Sequence, residues 1–458
     1  DIYCREWHVD PETPMDEDCL YLNVWTGAKG AEEKLPVLIW FYGGALQWGY
    51  PSEMEFDGER LARRGIVVVT VNYRINVFGF MSHPQLTREQ PDAPANFGSL
   101  DQQAGIRWVI RNIGAFGGDP DNITIAGQSA GGGSVLSQMA CPGNAGLFGR
   151  AVIMSGMIRS PYGERSLGTP KPLSEAEENG VKFLDFLGVS TLDEARKLDA
   201  FFIRDKYAEY VKNAPRMAAV LDGRFCVGDP LALFLQGKCA DVSVMAGNTV
   251  DEFPSALYAK SKKELEKKAR SIFGSRSGEY LELLDRQETE SEAAEAGNGS
   301  TVEYGKVSGL ECTIKGVFGK RKEAGSRQNY YYYKFAPDIP GWDKPGCFHS
   351  VDLWFFFETL AKCWRPFTGR HYDLARQMCN YWANFIKTGD PNGADADGTP
   401  MPGWEPYTRE TSAEMVFASG GAQPGGKESP LVRFLSGQAV REMEKNKCEE
   451  ENNEEAGV

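Results

Sequence analysis

No uninterrupted apolar run in this 458-residue chain approaches the ~20 residues that a membrane-crossing helix needs, which argues against a helical span. Cations are also outnumbered, with 50 Lys and Arg against 64 Asp and Glu, for a formal net charge of −14. Nucleic acid is therefore not an expected partner, because phosphate binding draws on clustered Lys and Arg. The ten cysteines form no C-x-x-C pair, and nothing recurs at metal-ligand spacing, so no metal is implied. They read as buried thiols rather than a disulfide framework, and they decide neither the compartment nor the oligomeric state. The chain opens at Asp1 without an initiator Met or a signal-like segment. Its natural amino terminus is expected to lie upstream.

What remains is the composition of a globular protein: 41% hydrophobic, 25% charged and 12% aromatic. Acidity peaks at Glu288 to Glu295 (ETESEAAE) and again at Glu449 to Glu455, which read as solvated faces or a frayed end. Short apolar runs have the length and β-branched content of buried parallel strands: Leu35 to Phe41, Ile66 to Asn72, Asn122 to Ala126, Ala151 to Met154, Val242 to Ala246 and Asn329 to Phe335. Between the early ones, Leu100 to Ile113 sets Ile106, Val109, Ile110 and Ile113 on one helical stripe. Alternating strands and helices imply a mostly parallel central sheet with helices on both faces. Two segments interrupt the rhythm, Glu175 to Phe202 and Ser255 to Leu284, and both read as helices. The expected organisation is one α/β domain over residues 1–458, with helical cap-like insertions at about 160–235 and 254–325 over the ligand-binding end of the sheet.

Residues 125 to 134 read IAGQSAGGGS. A nucleophile elbow needs a strand, a tight turn carrying the serine, and a helix directly after it. Asn122 to Ala126 supplies the strand, Gly127 and Gly131 flank Ser129, and Ser134 to Ala140 continues as a helix. A serine hydroxyl needs a base to take its proton, and histidine is the usual one near neutral pH. The chain has four histidines. His8 lies in a polar stretch, His83 precedes a proline in a turn-like SHPQ, and His371 starts a helical pattern. His349, in the loop GCFHSVD between the run ending at Phe335 and the aromatic run Leu353 to Phe357, is the leading candidate. A carboxylate should orient the imidazole, and GNTVDEF offers Asp251 and Glu252 side by side. Small residues in YGGAL, Tyr42 to Leu46, would let backbone N–H groups approach an oxyanion.

Together, EDCLYLNVW (Glu17 to Trp25), WFYGGA (Trp40 to Ala45), VTVNYRINVFGF (Val69 to Phe80), the block from Asn96 to Gly132, GNTVDEF (Gly247 to Phe253) and GCFHSVDL (Gly346 to Leu353) resemble the type-B carboxylesterase family. That family includes the cholinesterases and the para-nitrobenzyl esterases. The resemblance implies an α/β-hydrolase fold and a serine esterase acting on a small-molecule ester without cofactor. It implies that Ser129 is the nucleophile, Glu252 rather than Asp251 the acid, and His349 the base. The oxyanion donors would be the N–H groups of Gly44, Ala45 and Ala130, and Ser155 would hydrogen-bond the acid. Read from the residues rather than from the resemblance, Leu46, Phe253, Phe348 and Trp354 could line an aromatic-friendly substrate pocket, although aromatics beside a core strand are more often packing.

The chain departs from the family pattern in three places. Ala45 and Leu46 stand where the family has a third glycine and a Phe, and Phe253 stands where it has a glycine. Sixteen residues precede EDCLYLN where the family carries several tens, including the first strands of the sheet: either that start is missing here or the sheet edge is shortened. The family's disulfide partner of Cys19 would lie in that region, with Cys4 as the alternative. Two rival readings are a non-catalytic binding module and an esterase dedicated to aromatic, feruloyl-type esters. The sequons at Asn122 and Asn298 would matter only in a secretory setting, and Asn122 opens an expected core strand.

Overall fold

A computed structural model describes residue 6 and residues 13–163, 168–288, 301–395 and 397–455. Cys4, His8, Asn298 and all of the acidic run after Glu288 lie outside the described residues.

Nine strands form the central sheet: β1 (Leu22–Trp25), β2 (Leu35–Phe41), β3 (Val67–Val71), β4 (Gly118–Gln128), β5 (Arg150–Met154), β6 (Ser243–Thr249), β7 (Tyr330–Ala336), β8 (Met415–Ala418) and β9 (Gly421–Pro424). Their order is β1-β3-β2-β4-β5-β6-β7-β8-β9. Pairing is parallel from β3 to β8, while β1 on β3 and β9 on β8 are antiparallel. Each apolar run expected to be a strand forms one, with bounds shifted by a few residues; β4 is the longest extension, starting at Gly118.

Both faces of the sheet are covered, and the period-2 alternation of strands divides the core accordingly. In β7, four consecutive tyrosines split evenly: Tyr331 and Tyr333 pack on one face, Tyr330 and Tyr332 on the other. In β2, Leu38 and Trp40 join the first face while Val37, Ile39 and Phe41 join the second. The first face is capped by α8 (Gly369–Thr388), whose Trp382 lies edge-on to Trp40 at 6.0 Å between ring centroids. On the second face lie α1 (Phe97–Asn112), α2 (Ala130–Ala140), α7 (Gly309–Glu323) and α9 (Pro430–Glu455). Burying one Val, Leu or Phe side chain fully stabilises a fold by about 1.5–3 kcal/mol, so a central sheet covered on both faces makes a rigid platform.

The two interrupting segments differ. From Glu175 onward the expected helices form, as α3 (Leu173–Leu187), a short turn at Leu192–Ala195, and α4 (Ala200–Tyr210). The second segment corrects the reading at its start. Residues Pro254–Ala259 are a strand, paired antiparallel with Val302–Ser308, and only then do α5 (Lys262–Phe273) and α6 (Ser277–Glu288) follow. The strand alternates buried Leu257 with exposed Tyr258, and its partner lies more than forty residues away, beyond the reach of a local pattern. Among the described residues no helix is long and apolar enough to cross a membrane. The cysteines whose side chains are described are free thiols, with Cys141, Cys226, Cys312, Cys347 and Cys379 buried.

Candidate active site

β4 ends at Gln128 and α2 starts at Ala130, so Ser129 alone makes the turn between them. Its backbone is at φ 57°, ψ −123°, a conformation that a residue with a side chain adopts only under constraint. The constraint is visible on both sides. A Cβ on Gly127 would stand 2.3 Å from the Gly131 carbonyl oxygen, and one on Gly131 would stand 2.0 Å from that of Phe41. The Ser129 N–H donates to the Met154 carbonyl at 2.8 Å, tying the turn to β5. The helix begins four residues earlier than expected, which brings the Ala130 N–H into its unpaired, electropositive first turn.

His349 and Glu252 come to this serine from loops beyond the carboxyl ends of β7 and β6. Ser129 Oγ lies 2.7 Å from His349 Nε2, and His349 Nδ1 is hydrogen-bonded to Glu252 Oε2. The other carboxylate oxygen of Glu252 accepts from Ser155 Oγ at 2.6 Å and from the Thr249 N–H at 2.8 Å. Glu252 is buried, and so is Ser155. Such bonding leaves Glu252 able to hold the imidazole but not free to move. Asp251, the neighbouring candidate, turns away: its Oδ2 accepts from the Cys347 N–H at 2.7 Å and braces the loop that carries His349. His83 caps a helix and His371 sits at the start of α8, so neither approaches Ser129.

After β2 the chain makes a turn in which Gly44, Ala45 and Leu46 all have positive φ, at 102°, 56° and 60°. Gly44 has no room for a side chain, since a Cβ would lie 2.2 Å from the Trp48 carbonyl. A Cβ on Gly43 would lie 3.2 Å from that of Ser129, so this turn lies directly beside the serine. The expected pocket residues separate. The Phe253 ring stands edge-on to the His349 imidazole at 4.7 Å and is partly exposed. Leu46 packs between the core and the α3–α4 segment, and Phe348 lies half-buried under the Arg365 guanidinium at 5.3 Å. Trp354 corrects the expectation. It belongs to the helical turn Leu353–Phe356, is 0% exposed and packs inside the core, so it supports the site from behind rather than lining an open pocket.

Two further groups went unread in the sequence. Gln128 Nε2 is 3.4 Å from His349 Nε2. Asp352 is wholly buried, accepts from Tyr333 Oη at 2.9 Å, and its other oxygen has no hydrogen-bond partner among the described residues. Burial, reinforced by the charge of Glu252, pushes its carboxyl up to about 7. The one signal in the sequence was an acid set in an apolar run, VDLW, three residues after the histidine.

The carboxylesterase family model matches residues 4–428. The chain is 32% identical to human bile salt-activated lipase over 467 aligned positions, covering 92% of this chain and 59% of that protein. It is 30% identical to mouse cholinesterase over 426 positions, covering 86% of this chain and 68% of that protein. Among solved structures, a Geobacillus stearothermophilus carboxylesterase shares 28% identity at a TM-score of 0.66, over 93% of this chain and 87% of that one. A PNB esterase shares 25% identity at a TM-score of 0.70, over 92% and 84%. The chain therefore spans less than two thirds of the human lipase but most of each of these two esterase structures.

Proposed function

The chain belongs to the carboxylesterase family, with the α/β-hydrolase fold, and from that premise we propose that it hydrolyses carboxylic esters through an acyl-enzyme formed on Ser129. The observation that carries the proposal is the unbroken hydrogen-bonded chain from Glu252 through His349 to Ser129 Oγ. Ser129 Oγ attacks the ester carbonyl carbon as its proton passes to His349 Nε2. Glu252, accepting from Nδ1, stabilises the imidazolium that results. The N–H groups of Gly44, Ala45 and Ala130 are the donors for the oxyanion, and losing one such donor can cost about 3–4 kcal/mol in the transition state. The tetrahedral species collapses by breaking the bond to the alcohol oxygen, which leaves with the proton held on His349. Water then gives a proton to His349 as its oxygen attacks the acyl carbon. Collapse of this second tetrahedral species breaks the bond to Ser129 Oγ, which takes the proton back from His349 as the acid leaves.

Phe253, edge-on to His349 and partly exposed, narrows the approach to the base. This favours acyl or alcohol groups that can lie flat against an aromatic ring, and it keeps an aromatic ester in view as substrate. The test is hydrolysis of a para-nitrophenyl ester series, acetate to decanoate with a ferulate ester, by the unsubstituted chain and by Ser129→Ala. We expect turnover to fall by about 10⁴-fold or more in Ser129→Ala, together with loss of covalent labelling by an organophosphate. Labelling that persists at one equivalent would move the nucleophile elsewhere, and a folded chain without turnover would favour a binding module.

A further inference from the structure

Ala45 and Leu46 sit in the left-handed region, which costs a residue with a side chain about 1–2 kcal/mol. Something has to hold them there. Part of the answer is local: the Gly44 carbonyl accepts from the N–H groups of Gln47 at 2.9 Å and Trp48 at 3.2 Å. In a trans peptide the C=O and N–H point in opposite directions, so these two bonds aim the Ala45 N–H away from them. The Leu46 carbonyl accepts from the Asn76 N–H at 2.6 Å.

The Ala45 carbonyl is served differently. It accepts from the side chain of Gln47, whose Nε2 is 3.3 Å away. The same Nε2 donates its second hydrogen to the Met217 carbonyl at 2.9 Å. Gln47 Oε1 accepts from Tyr207 Oη at 3.0 Å, and that hydroxyl oxygen accepts in turn from the Met217 N–H at 2.8 Å. Gln47, Tyr207 and Met217 are all buried. Both donors and the acceptor of the amide are therefore engaged, and its orientation is unique: reversing it would set Nε2 against a hydroxyl hydrogen and Oε1 against two carbonyls. Tyr207 lies on α4, 160 residues along the chain, and its ring is packed edge-on against Phe183 of α3 at 5.6 Å.

We propose that Gln47 is a positioning residue, which ties the Gly44–Leu46 turn to Tyr207 and Met217 and so holds the Ala45 N–H in the orientation that an ester oxyanion requires. The inference rests on the esterase reading above. It makes the α3–α4 segment a structural part of the catalytic apparatus rather than only a cover. Glutamate would not substitute, because it has no hydrogens for the two carbonyls.

The test compares Gln47→Leu, Gln47→Glu and Tyr207→Phe by steady-state kinetics on para-nitrophenyl butyrate and by inhibition with a trifluoromethyl ketone, whose serine adduct carries an oxyanion. Misplacing a reacting or stabilising group by a fraction of an ångström to an ångström costs about 10- to 100-fold. That loss is expected in kcat for both Gln47 variants, with KM within about twofold, and the ketone should weaken by the same factor as kcat/KM falls. Tyr207→Phe should lose about three- to tenfold, and adding it to Gln47→Leu should cost nothing further, since the two act as one unit. An unchanged kcat, a rise confined to KM, or fully multiplicative losses in the double variant would overturn the proposal. If Gln47→Leu fails to fold, Tyr207→Phe, which keeps the packed ring, decides by the same kcat criterion. The unsubstituted chain and Ser129→Ala are measured first: turnover that survives Ser129→Ala would sink the esterase reading itself, a result separable from any effect at Gln47.

Discussion

Ser129 and Ala45 have nearly the same unusual backbone φ, 57° and 56°, and lie on adjacent turns at the ends of neighbouring strands, yet the two turns are held by different means. The serine turn is closed by its own flanks and by the adjoining strands: Gly127 against Gly131, Gly131 against Phe41, and the Ser129 N–H on β5. The glycine turn after β2 is finished from outside, by Asn76, Tyr207 and Met217. Strain secured by a sheet can be read in a short motif. Strain secured by residues remote in the chain needs partners that no local pattern announces.

The sharpest way to test this contrast is at the acid, where two adjacent carboxylates have separate jobs. Glu252→Gln should lower kcat by about 10³- to 10⁴-fold, because the amide cannot stabilise the imidazolium and favours the wrong tautomer. Asp251→Asn should lose less than about tenfold, since Asp251 only braces the Cys347 N–H. Steady-state kinetics on both variants decides, and the reverse order would overturn the assignment of Glu252.

Next in size is a matched pair of glycine substitutions. Gly131→Ala drives a Cβ into the backbone of β2, so we expect it to destabilise the fold by about 1–3 kcal/mol and to lower kcat as the serine shifts. Gly44→Ala drives its Cβ into the Trp48 carbonyl of its own turn. It should lower kcat by about 100-fold with a smaller loss of stability. Urea unfolding alongside kinetics reads both quantities, and equal stability losses would erase the distinction between the two turns.

The last contrast lies behind the site. The Asp352 carboxyl titrates at about 7 in the fold against an ordinary value of 3.8, so between those values the folded state binds more protons than the unfolded one. Stability contributed by this group is therefore complete at or below the ordinary value and declines as pH rises towards 7. Asp352→Asn, which cannot ionise, should gain on the unsubstituted chain as pH rises from about 4 to 7 and gain nothing more above it. Urea unfolding at pH 4.5, 6 and 8 measures this. A difference independent of pH would mean that Asp352 does not titrate in that window.

Much of the fold was legible because buried parallel strands are continuous apolar runs, and β2 through β7 each announced themselves in that way. The strand Pro254–Ala259 was not, since the residues after its proline, Ser255 to Ala259, fit a helix as well as a strand and its partner is distant. Trp354 was misplaced for a related reason. An aromatic beside the histidine loop is compatible with a pocket wall or with the core, and only packing against the sheet chose the core. Gln128, Asp352, Gln47 and Tyr207 carry no motif of their own, so the sequence offered little reason to single them out.

By itself the sequence determined the serine turn, the strand series and the membership that follows from them, because each depends on residues close together in the chain or on a period of two. The three-dimensional arrangement brought to His349 the carboxylate that the resemblance had singled out, and it alone decided which aromatic faces the site and what holds the turn beside the serine. Those choices depend on contacts between residues about 100 to 220 positions apart, and such contacts exist only once the sheet has brought the ends of its strands together.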